Sequence, residues 1–452
     1  MWPIDAAEAF RDLPGLALLE SARLGRKSRW SYLTADPLAI LQEPTPGADP
    51  FAEARRLVAR LDRRAPEAGC SDHPPFLGGL VGFLGYDLGH ALERLPTIAA
   101  DDQGLPCMRL ALHGWVLAWD RRTGRAWLGG RALDGDAAAL NDRLHAVRER
   151  LVGGWATPTE TLPTDGFAFT SSLDRTAYEA GVERVRAAIA RGDIYQANLA
   201  RRLETPFRGD PWPLYRALRT GDPAPFAAYV DVGPAADGAP RAIASASPES
   251  FLSVDRGGRV QTDPIKGTRP RGGTREEDRA LAAELLASGK DRAENVMIVD
   301  VLRNDLGRVC RPGSVRVPRL CRLERTAAVQ HLVSTVTGRL APGRDAFDLL
   351  AASFPGGSIT GAPKIRAMEI LEELEPVRRG PYTGAALWLG PDGAMGSSIL
   401  IRTLVADGRR LTLHVGGGIT WRSDPAAEWQ ETVVKARGPL RAIDGREVGS
   451  EP

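Results

Sequence analysis

Residues 263–271, with the sequence DPIKGTRPR, form the segment that most constrains how this chain can fold. Pro264 and Pro270 restrict the backbone near both ends, and Gly267 allows the backbone to approach another group closely. Lys266 lies between them. Lysine is rare in this chain: among 59 basic residues, the lysines are those at positions 27, 266, 290, 364 and 435. Arginine serves where only charge is needed, so Lys266 indicates an amine that can lose its proton and act as a nucleophile. A surface loop with a solvated lysine is the alternative.

The composition indicates a globular protein and excludes several functional classes. The chain has 452 residues, of which 43% are hydrophobic and 26% charged, and its formal net charge is +2. It lacks the basic tract or aromatic–basic stripe that nucleic-acid binding requires. The longest uncharged apolar run, residues 74–86, is short and rich in glycine, so we expect no membrane span. The N-terminus has no signal-peptide core, and the four cysteines have no metal-binding spacing, so we expect a cytoplasmic protein.

We divide the chain into an N-terminal region at 1–152, a linker at 153–168 and a better patterned region at 169–445, the two regions forming one intertwined unit. Alternating polarity over 193–203 predicts a strand after a helix. Thr274 and Glu277 form a capping-box signature that begins a helix. Ile365 is assigned to the buried stripe of a helix that follows the glycine-rich segment 356–361. Further predictions are a helix over 291–309, single strands over 110–119, 241–254 and 394–405, and a strand that ends at the glycines 416–418.

Two predicted helices carry acidic pairs with the same spacing. Asp291 and Glu294 lie on the first helix, and Glu428 and Glu431 lie on the last. Residues three apart share a helix face, so each pair points to one place, and Lys435 joins the face of the second pair. Oxygen ligands without a histidine cluster suit Mg²⁺ better than zinc. Ordinary surface acids are the alternative interpretation.

Glycine-rich segments supply backbone N–H groups that can bind carboxylates or phosphates. One segment contains Thr360 and Gly361, and another contains Gly417 and Gly418. An arginine fork and a tyrosine hydroxyl on the preceding strands could complete a site for a dicarboxylate, and these belong to Arg402 and Tyr382.

Two further side chains are candidates because of their neighbours. Glu249 follows Pro248 at a strand bend, and a predicted hairpin brings it near Lys266, so it is a candidate general acid. His331 is a candidate substrate contact, with a structural core histidine as the alternative.

Several of these segments together resemble the chorismate-utilising enzymes. The match covers roughly residues 170–440, and its motifs lie at 193–200, 246–251, 264–271, 294–300, 303–308, 358–364 and 416–435. More weakly, residues 18–21 resemble the N-terminal segment of anthranilate and aminodeoxychorismate synthases. The resemblance implies an α/β (α+β) open sandwich, in which two antiparallel sheets enclose the site and helices flank them.

The resemblance also implies roles for individual residues. Glu294 and Glu431 would be Mg²⁺ ligands, supported by Asp291 and Glu428. Glu249 would protonate the departing C4 hydroxyl group of chorismate. The carboxylates of chorismate would be held by Tyr382, Arg402, Gly417, Gly418 and Lys435.

Two positions distinguish branches of this family. Isochorismate and salicylate synthases have a lysine at the position of Gln196, and glutamine cannot deprotonate water, so an ammonia-using member is implied. Anthranilate synthases usually have alanine where this chain has Lys266. Lysine there resembles aminodeoxychorismate synthase component I, in which it attacks C2 before ammonia adds at C4. An ordinary lysine has a pKa near ~10.4, so this amine must be desolvated or placed beside a cation.

The resemblance finally implies a partner and a second pocket. No cysteine here lies in a glutaminase-type nucleophile motif, so a separate glutamine amidotransferase subunit would supply ammonia. Glu20 and Ser21 resemble part of a pocket where relatives hold tryptophan, and ordinary core packing is the alternative. The competing functions are anthranilate synthase component I and a non-catalytic, ligand-binding paralogue.

Overall fold

The computed structural model describes residues 1–24, 28–47, 49–63, 73–154, 162, 165–325 and 329–449. Its strands, numbered in chain order, are β1 (Ala17–Glu20), β2 (Trp30–Thr34), β3 (Ala39–Leu41), β4 (Gly79–Leu84), β5 (Met108–His113), β6 (Trp115–Asp120), β7 (Ala126–Gly130), β8 (Phe167–Ser171), β9 (Gln196–Pro206), β10 (Phe226–Asp231), β11 (Ala242–Ser247), β12 (Ser250–Val254), β13 (Arg259–Thr262), β14 (Ile265–Pro270), β15 (Arg316–Arg325), β16 (Val329–Arg339), β17 (Gly361–Ala362), β18 (Ala385–Leu389), β19 (Met395–Ile399), β20 (Thr403–Ala406), β21 (Arg410–Ile419) and β22 (Gly445–Glu447).

The helices of the described residues include two long ones, α8 and α11, which carry the acidic pairs. The full set is α1 (Pro3–Ala7), α2 (Ala52–Ala59), α3 (Gly89–Leu92), α4 (Ala137–Val152), α5 (Arg175–Ala190), α6 (Trp212–Gly221), α7 (Arg275–Ala287), α8 (Gly289–Gly307), α9 (Ala346–Ser353), α10 (Lys364–Leu374) and α11 (Pro425–Ala442). Nowhere in the part of the chain that the structure describes is a helix long and apolar enough to cross a membrane.

Within the described residues the strands form two sheets. The larger has the order β22-β8-β9-β21-β20-β11-β10-β1-β2-β6-β7, with β17 paired to β9. The smaller has the order β14-β16-β13-β12-β19-β18-β4-β5-β3, with β15 paired to β16. Pairing is antiparallel except between β22 and β8. The predicted sandwich of two antiparallel sheets is therefore confirmed, and strands from 1–152 and from 169–445 occur in both sheets.

The hydrophobic core is layered as a sandwich requires. Between the sheets, Phe83 and Ala386 of the smaller sheet pack against Val230 and Ile243 of the larger one. A second core lies on the outer face of the smaller sheet, beneath α2, α8 and α9. A third lies on the outer face of the larger sheet, beneath α1, α4, α6 and α11. Helices thus cover the outer faces of both sheets.

The chain crosses between the two sheets where long single strands were predicted. The run 110–119 divides into the ends of β5 and β6, 241–254 divides into β11 and β12, and 394–405 divides into β19 and β20. Near the last crossing, Arg402 has a φ of +51°. Most residues of these runs are buried, so their residue pattern did not reveal the change of sheet.

Other local predictions had mixed outcomes. Thr274 accepts a hydrogen bond from the Glu277 N–H, and their capping box begins α7 as predicted. The glycines 416–418 were predicted to end a strand, and they lie in β21 just before its last residue, Ile419, where they pair with residues 198–200 of β9. Ile365 was wrongly assigned to a buried stripe, because 41% of its surface is exposed. Most of the predicted linker, at 155–161 and 163–164, lies outside the described residues.

Candidate active site

Lys266 lies on β14, an edge strand of the smaller sheet rather than a free loop. A bulge between Lys266 and Thr268 interrupts the pairing with β16. Gly267 at the bulge has a φ of +71°, and a Cβ there would lie 2.9 Å from Cβ of Asp291 on α8. The residue must therefore be glycine for the strand to pass so close to the helix.

The Lys266 amine faces the glycine-rich loop and Glu249. Its Nζ donates a hydrogen bond of 3.0 Å to the Ser358 carbonyl oxygen. Glu249 lies at the crossing from β11 to β12, is 8% exposed, and interacts with the Ser358 side chain. One loop residue therefore contacts both side chains that were predicted to do the chemistry.

Burial shifts the pKa values of this pair in opposite directions. Desolvation lowers the pKa of Lys266, against the attraction of the Glu249 charge. Desolvation raises the pKa of Glu249, against the charge of Lys266. Both shifts favour a neutral amine beside a protonated carboxyl group, which are the forms that a nucleophile and a general acid require.

The two acidic pairs lie on α8 and α11, and the helices bring them to the same side of the site. Lys290 Nζ lies 4.0 Å from an oxygen of Glu294 and 4.0 Å from an oxygen of Glu428. The other members have closer cationic partners: Asp291 accepts a hydrogen bond of 3.2 Å from Arg269, and Glu431 forms a 2.7 Å ion pair with Lys435.

The acidic residues offer oxygen atoms that a divalent cation could use as ligands. One carboxylate oxygen of Glu294 and one of Glu428 are buried without a hydrogen-bond partner. Burial is the largest cause of the raised pKa of both residues. A bound cation would relieve that cost, and oxygen donors suit Mg²⁺. In the described ranges, no three His, Cys, Asp or Glu side chains are already gathered as a metal-binding group.

The glycines of β21 form an open wall beside α11 and β9. A Cβ on Gly417 would lie 3.1 Å from Glu428 Oε2 and 3.4 Å from Glu431 Oε1, and one on Gly418 would lie 2.2 Å from Gln196 Nε2. Gln196 is buried, and its Oε1 has no hydrogen-bond partner. The absence of side chains at 417 and 418 thus leaves polar groups lining the site.

The glycine-rich loop reaches the same wall through β17. Gly361 pairs with Ala197 of β9, and a Cβ on Gly361 would lie 2.2 Å from the Gln196 carbonyl oxygen. Thr360 is buried, and its hydroxyl group donates to the Gly356 carbonyl oxygen at 3.0 Å. The Thr360 hydroxyl group therefore makes its hydrogen bond within the loop.

The remaining residues that were predicted to contact substrate differ in how deeply they are buried. Tyr382 is buried and stacks on His414, with ring centroids 5.2 Å apart. Arg402 is 43% exposed, and its guanidinium group lies 3.7 Å from Asp222. His331 Nδ1 lies 2.9 Å from the Thr268 hydroxyl oxygen, and burial with the nearby charge of Arg402 lowers its pKa to about 4. His331 is therefore neutral at pH 7.

Sequence reasoning missed several residues that shape the site. Ser358 was noted only as part of a loop, and Lys290 only as one of five lysines. Arg379 was not noted, although it is buried and donates hydrogen bonds to Glu375 and to the carbonyl oxygens of Ile359 and Asn198. The scarcity of lysine in the chain could have drawn attention to Lys290.

Glu20 and Ser21 line a separate cavity of about 340 Å³ between the sheets, and Trp30 and Trp388 lie in the same wall. The Glu20 carboxylate binds Arg219 at 2.5 and 2.7 Å. The Ser21 hydroxyl group donates to the Trp30 carbonyl oxygen at 2.9 Å. Both polar side chains are thus already engaged within the protein.

Comparison with known proteins gives one family. The model of the chorismate binding enzyme family matches residues 23–441. Aminodeoxychorismate synthase component 1 of Salmonella typhimurium is 40% identical over 463 residues, covering 98% of this chain and 97% of that protein. Anthranilate synthase component 1 of Streptomyces coelicolor is 42% identical over 441 residues, covering 94% and 83%. The crystal structure of anthranilate synthase component I from Streptococcus pneumoniae matches with a TM-score of 0.79 at 31% identity, covering 93% and 94%. The chain therefore belongs to the family of chorismate-binding enzymes.

Proposed function

We propose that this enzyme aminates chorismate at C4 to give 4-amino-4-deoxychorismate, the precursor of 4-aminobenzoate in folate synthesis. The observation that carries the proposal is the Lys266 amine, which lies beside Glu249 with its pKa lowered while that of the carboxyl group is raised. Relatives named aminodeoxychorismate synthase component 1, at 38% to 42% identity, support it.

The reaction proceeds in two substitutions. The neutral Lys266 amine attacks C2 of chorismate, the ring double bonds shift, and the C4–O bond breaks. Glu249 gives its proton to the departing hydroxyl group, which leaves as water. Ammonia then adds at C4, the double bonds shift back, and the C2–N bond to Lys266 breaks. The proton lost by the incoming nitrogen returns to Glu249 or Lys266, so the enzyme is regenerated.

The substrate-binding residues hold the carboxylates of chorismate. Gly417 and Gly418 leave room for the substrate beside α11, and Lys435, Arg402 and Tyr382 offer charge and a hydroxyl group. Thr360, Gly361, Gln196 and His331 line the remaining surface. A bound Mg²⁺, held by Glu294 and Glu431 with Asp291 and Glu428 in support, would supply a positive charge for a substrate carboxylate.

The nitrogen source is ammonia from a separate glutamine amidotransferase subunit. We expect ammonium in solution to support the same chemistry in the isolated chain, which makes the synthase half testable alone.

Anthranilate synthase component I is the second candidate, because relatives with that name are equally similar, at 42% and 41% identity. That reaction would place nitrogen at C2, the carbon that Lys266 would occupy. Lysine at 266, rather than the alanine usual in anthranilate synthases, favours amination at C4.

Product identification distinguishes the candidates. The purified chain is incubated with chorismate, Mg²⁺ and ammonium, and the products are separated by chromatography and identified by mass spectrometry against standards. We expect 4-amino-4-deoxychorismate. Anthranilate or isochorismate as the main product would overturn the proposal, and binding of chorismate without turnover would support a non-catalytic paralogue.

A further inference from the structure

The loop that contacts Lys266 rests directly on α8. A Cβ on Gly357 would lie 2.6 Å from Cγ1 of Val301, so the loop backbone touches the helix where any side chain would push it away. Val301 follows Glu294 by seven residues, which is about two helical turns, so both lie on one face of α8. The loop and the carboxylate of Glu294 are therefore attached to the same side of one helix.

A buried ion pair closes this loop and fastens it to α8. Lys364 Nζ lies 2.9 Å from Asp305 Oδ2 and donates a hydrogen bond of 2.9 Å to the Ser353 carbonyl oxygen. Ser353 is the last residue of α9 and Lys364 is the first of α10, so one ammonium group joins the two ends of the segment. The exposed fractions of the two side chains are 14% for Lys364 and 4% for Asp305.

The pair lies on the same face of α8 as the acidic residue of the site. Asp305 follows Glu294 by eleven residues, which is close to three turns. In the proposed reaction neither Asp305 nor Lys364 contacts the substrate. Lys364 is nevertheless one of five lysines in a chain that otherwise uses arginine. A compact ammonium group can bind a carboxylate and a carbonyl oxygen at once in a narrow space, which a planar guanidinium group cannot do in the same geometry.

We propose that Asp305 and Lys364 are positioning residues: through the loop they set the Ser358 carbonyl oxygen, which holds the Lys266 amine toward Glu249. Three contacts make up the path: the ion pair of Lys364 with Asp305, the close approach of Gly357 to Val301, and the hydrogen bond of 3.0 Å from Lys266 to Ser358. The expected loss of turnover rests on the proposed function, whereas the expected change in the reactivity of the Lys266 amine does not.

A second buried group holds the other side of the loop and limits how it can move. Arg379 is 2% exposed at its side chain, forms an ion pair with Glu375, and donates a hydrogen bond of 3.1 Å to the Ile359 carbonyl oxygen. Ser358 therefore lies between two fastened points. Breaking the pair Asp305–Lys364 loosens the loop where it meets α8 and leaves the contact of Arg379 with Ile359 in place. We therefore expect Ser358 to shift while the fold is kept.

The test measures the Lys266 amine directly, without substrate. Asp305→Asn, Lys364→Met and the double variant are labelled with acetic anhydride across a range of pH, against an added amino-acid standard, and labelling of Lys266 is read by peptide mass spectrometry. We expect the Lys266 labelling rate to rise severalfold in each variant, because its amine loses the carbonyl partner. The double variant should equal the single variants, because the pair acts as a unit.

Kinetics with chorismate and ammonium give a second readout. We expect kcat to fall about 10- to 100-fold with little change in KM, since misplacing a reacting group affects the transition state more than substrate binding.

The matched control is Glu447→Gln, which breaks the buried ion pair of Glu447 with Arg201, whose side chains are 5% and 0% exposed. That variant should lose thermal stability while keeping Lys266 labelling and kcat. Equal changes in this control, or unchanged labelling in folded Asp305→Asn and Lys364→Met, would overturn the proposal.

Lys364→Arg covers the case in which the other variants do not fold, because it keeps the charge. Its different reach should still raise Lys266 labelling, and unchanged labelling in this folded variant would reduce the pair to a structural role and overturn the proposal. A product other than 4-amino-4-deoxychorismate would refute the proposed function but leave the labelling result valid.

Discussion

Replacing Gly418 by alanine tests whether the glycine wall of β21 exists to make room for Gln196. A Cβ at position 418 would lie 2.2 Å from Nε2 and 3.3 Å from Cδ of Gln196. An ordinary carbon–nitrogen contact is roughly 3.5 Å, so the first distance is about 1 Å too short. Gln196 is 1% exposed, which leaves its side chain little free space.

The size of the effect follows from what has to move. Overpacking a core costs about 1–3 kcal/mol. The clashing atom here is the end of a flexible side chain rather than backbone, so we expect the lower half of that range, about 1–2 kcal/mol. Gln196 must leave its place beside the site, and a binding loss of about 1.4 kcal/mol would raise KM for chorismate about tenfold.

The assay combines thermal unfolding with ammonium-dependent kinetics. Gly418→Ala should lower the melting temperature and raise KM. Adding Gln196→Ala should restore the melting temperature, because the clash is removed, but not KM, because the polar group is absent. Gly307→Ala is the control, because a Cβ at the end of α8 would meet nothing within 4 Å. The reasoning is wrong if Gly418→Ala behaves like this control, or if the double variant is less stable than Gly418→Ala.

Four further predictions concern the reaction, the metal, pH and regulation. Lys266→Ala should reduce amination at C4 by at least about 10³-fold, and Lys266→Arg nearly as much because a guanidinium group stays protonated; full product formation by either variant contradicts the covalent role. Glu294→Gln and Glu431→Gln should each weaken the Mg²⁺ dependence of turnover with the fold intact, and an unchanged Mg²⁺ titration would show that the residue is not a ligand. Burial raises the pKa of Asp87 to about 6, so the folded protein holds this proton more tightly than the unfolded chain, and its stability falls as pH rises from about 4 to 6. Asp87→Asn should therefore add at most about 3 kcal/mol to the free energy of unfolding at pH 7.5 and nothing near pH 4. A melting temperature equal to that of the unchanged protein at pH 7.5 would refute this. Tryptophan at millimolar concentration should not inhibit amination, because a folate-branch enzyme has no metabolic reason for that control; dose-dependent inhibition that disappears in Ser21→Ala would reverse the conclusion and favour anthranilate synthase.

The amino-acid sequence by itself determined the features that depend on neighbouring residues. The capping box of Thr274 and Glu277 begins α7, because both hydrogen bonds form within one helical turn. The alternation over 193–203 predicted most of β9, which begins at Gln196. Short motifs such as the one at 264–271 pointed to the family that the comparisons confirm, since several of them in one order are specific even without coordinates.

Only the tertiary structure decided which sheet each strand joins and which side chains meet. The runs 110–119, 241–254 and 394–405 change sheets partway, and most of their residues are buried on either side of the change. Ile365 has helical spacing but faces outward, because the position of α10 against β9 decides which face is covered.

In the site, too, some features could be predicted from the sequence and others depend on the tertiary structure. The acidic pairs could be placed on their helix faces from spacing alone. That Lys290 lies between Glu294 and Glu428, and that Ser358 contacts both Lys266 and Glu249, could not be predicted. These contacts join residues up to 138 positions apart in sequence, as Lys290 and Glu428 are. The packing of helices on a sandwich creates them, and a local pattern contains no information about a partner so distant.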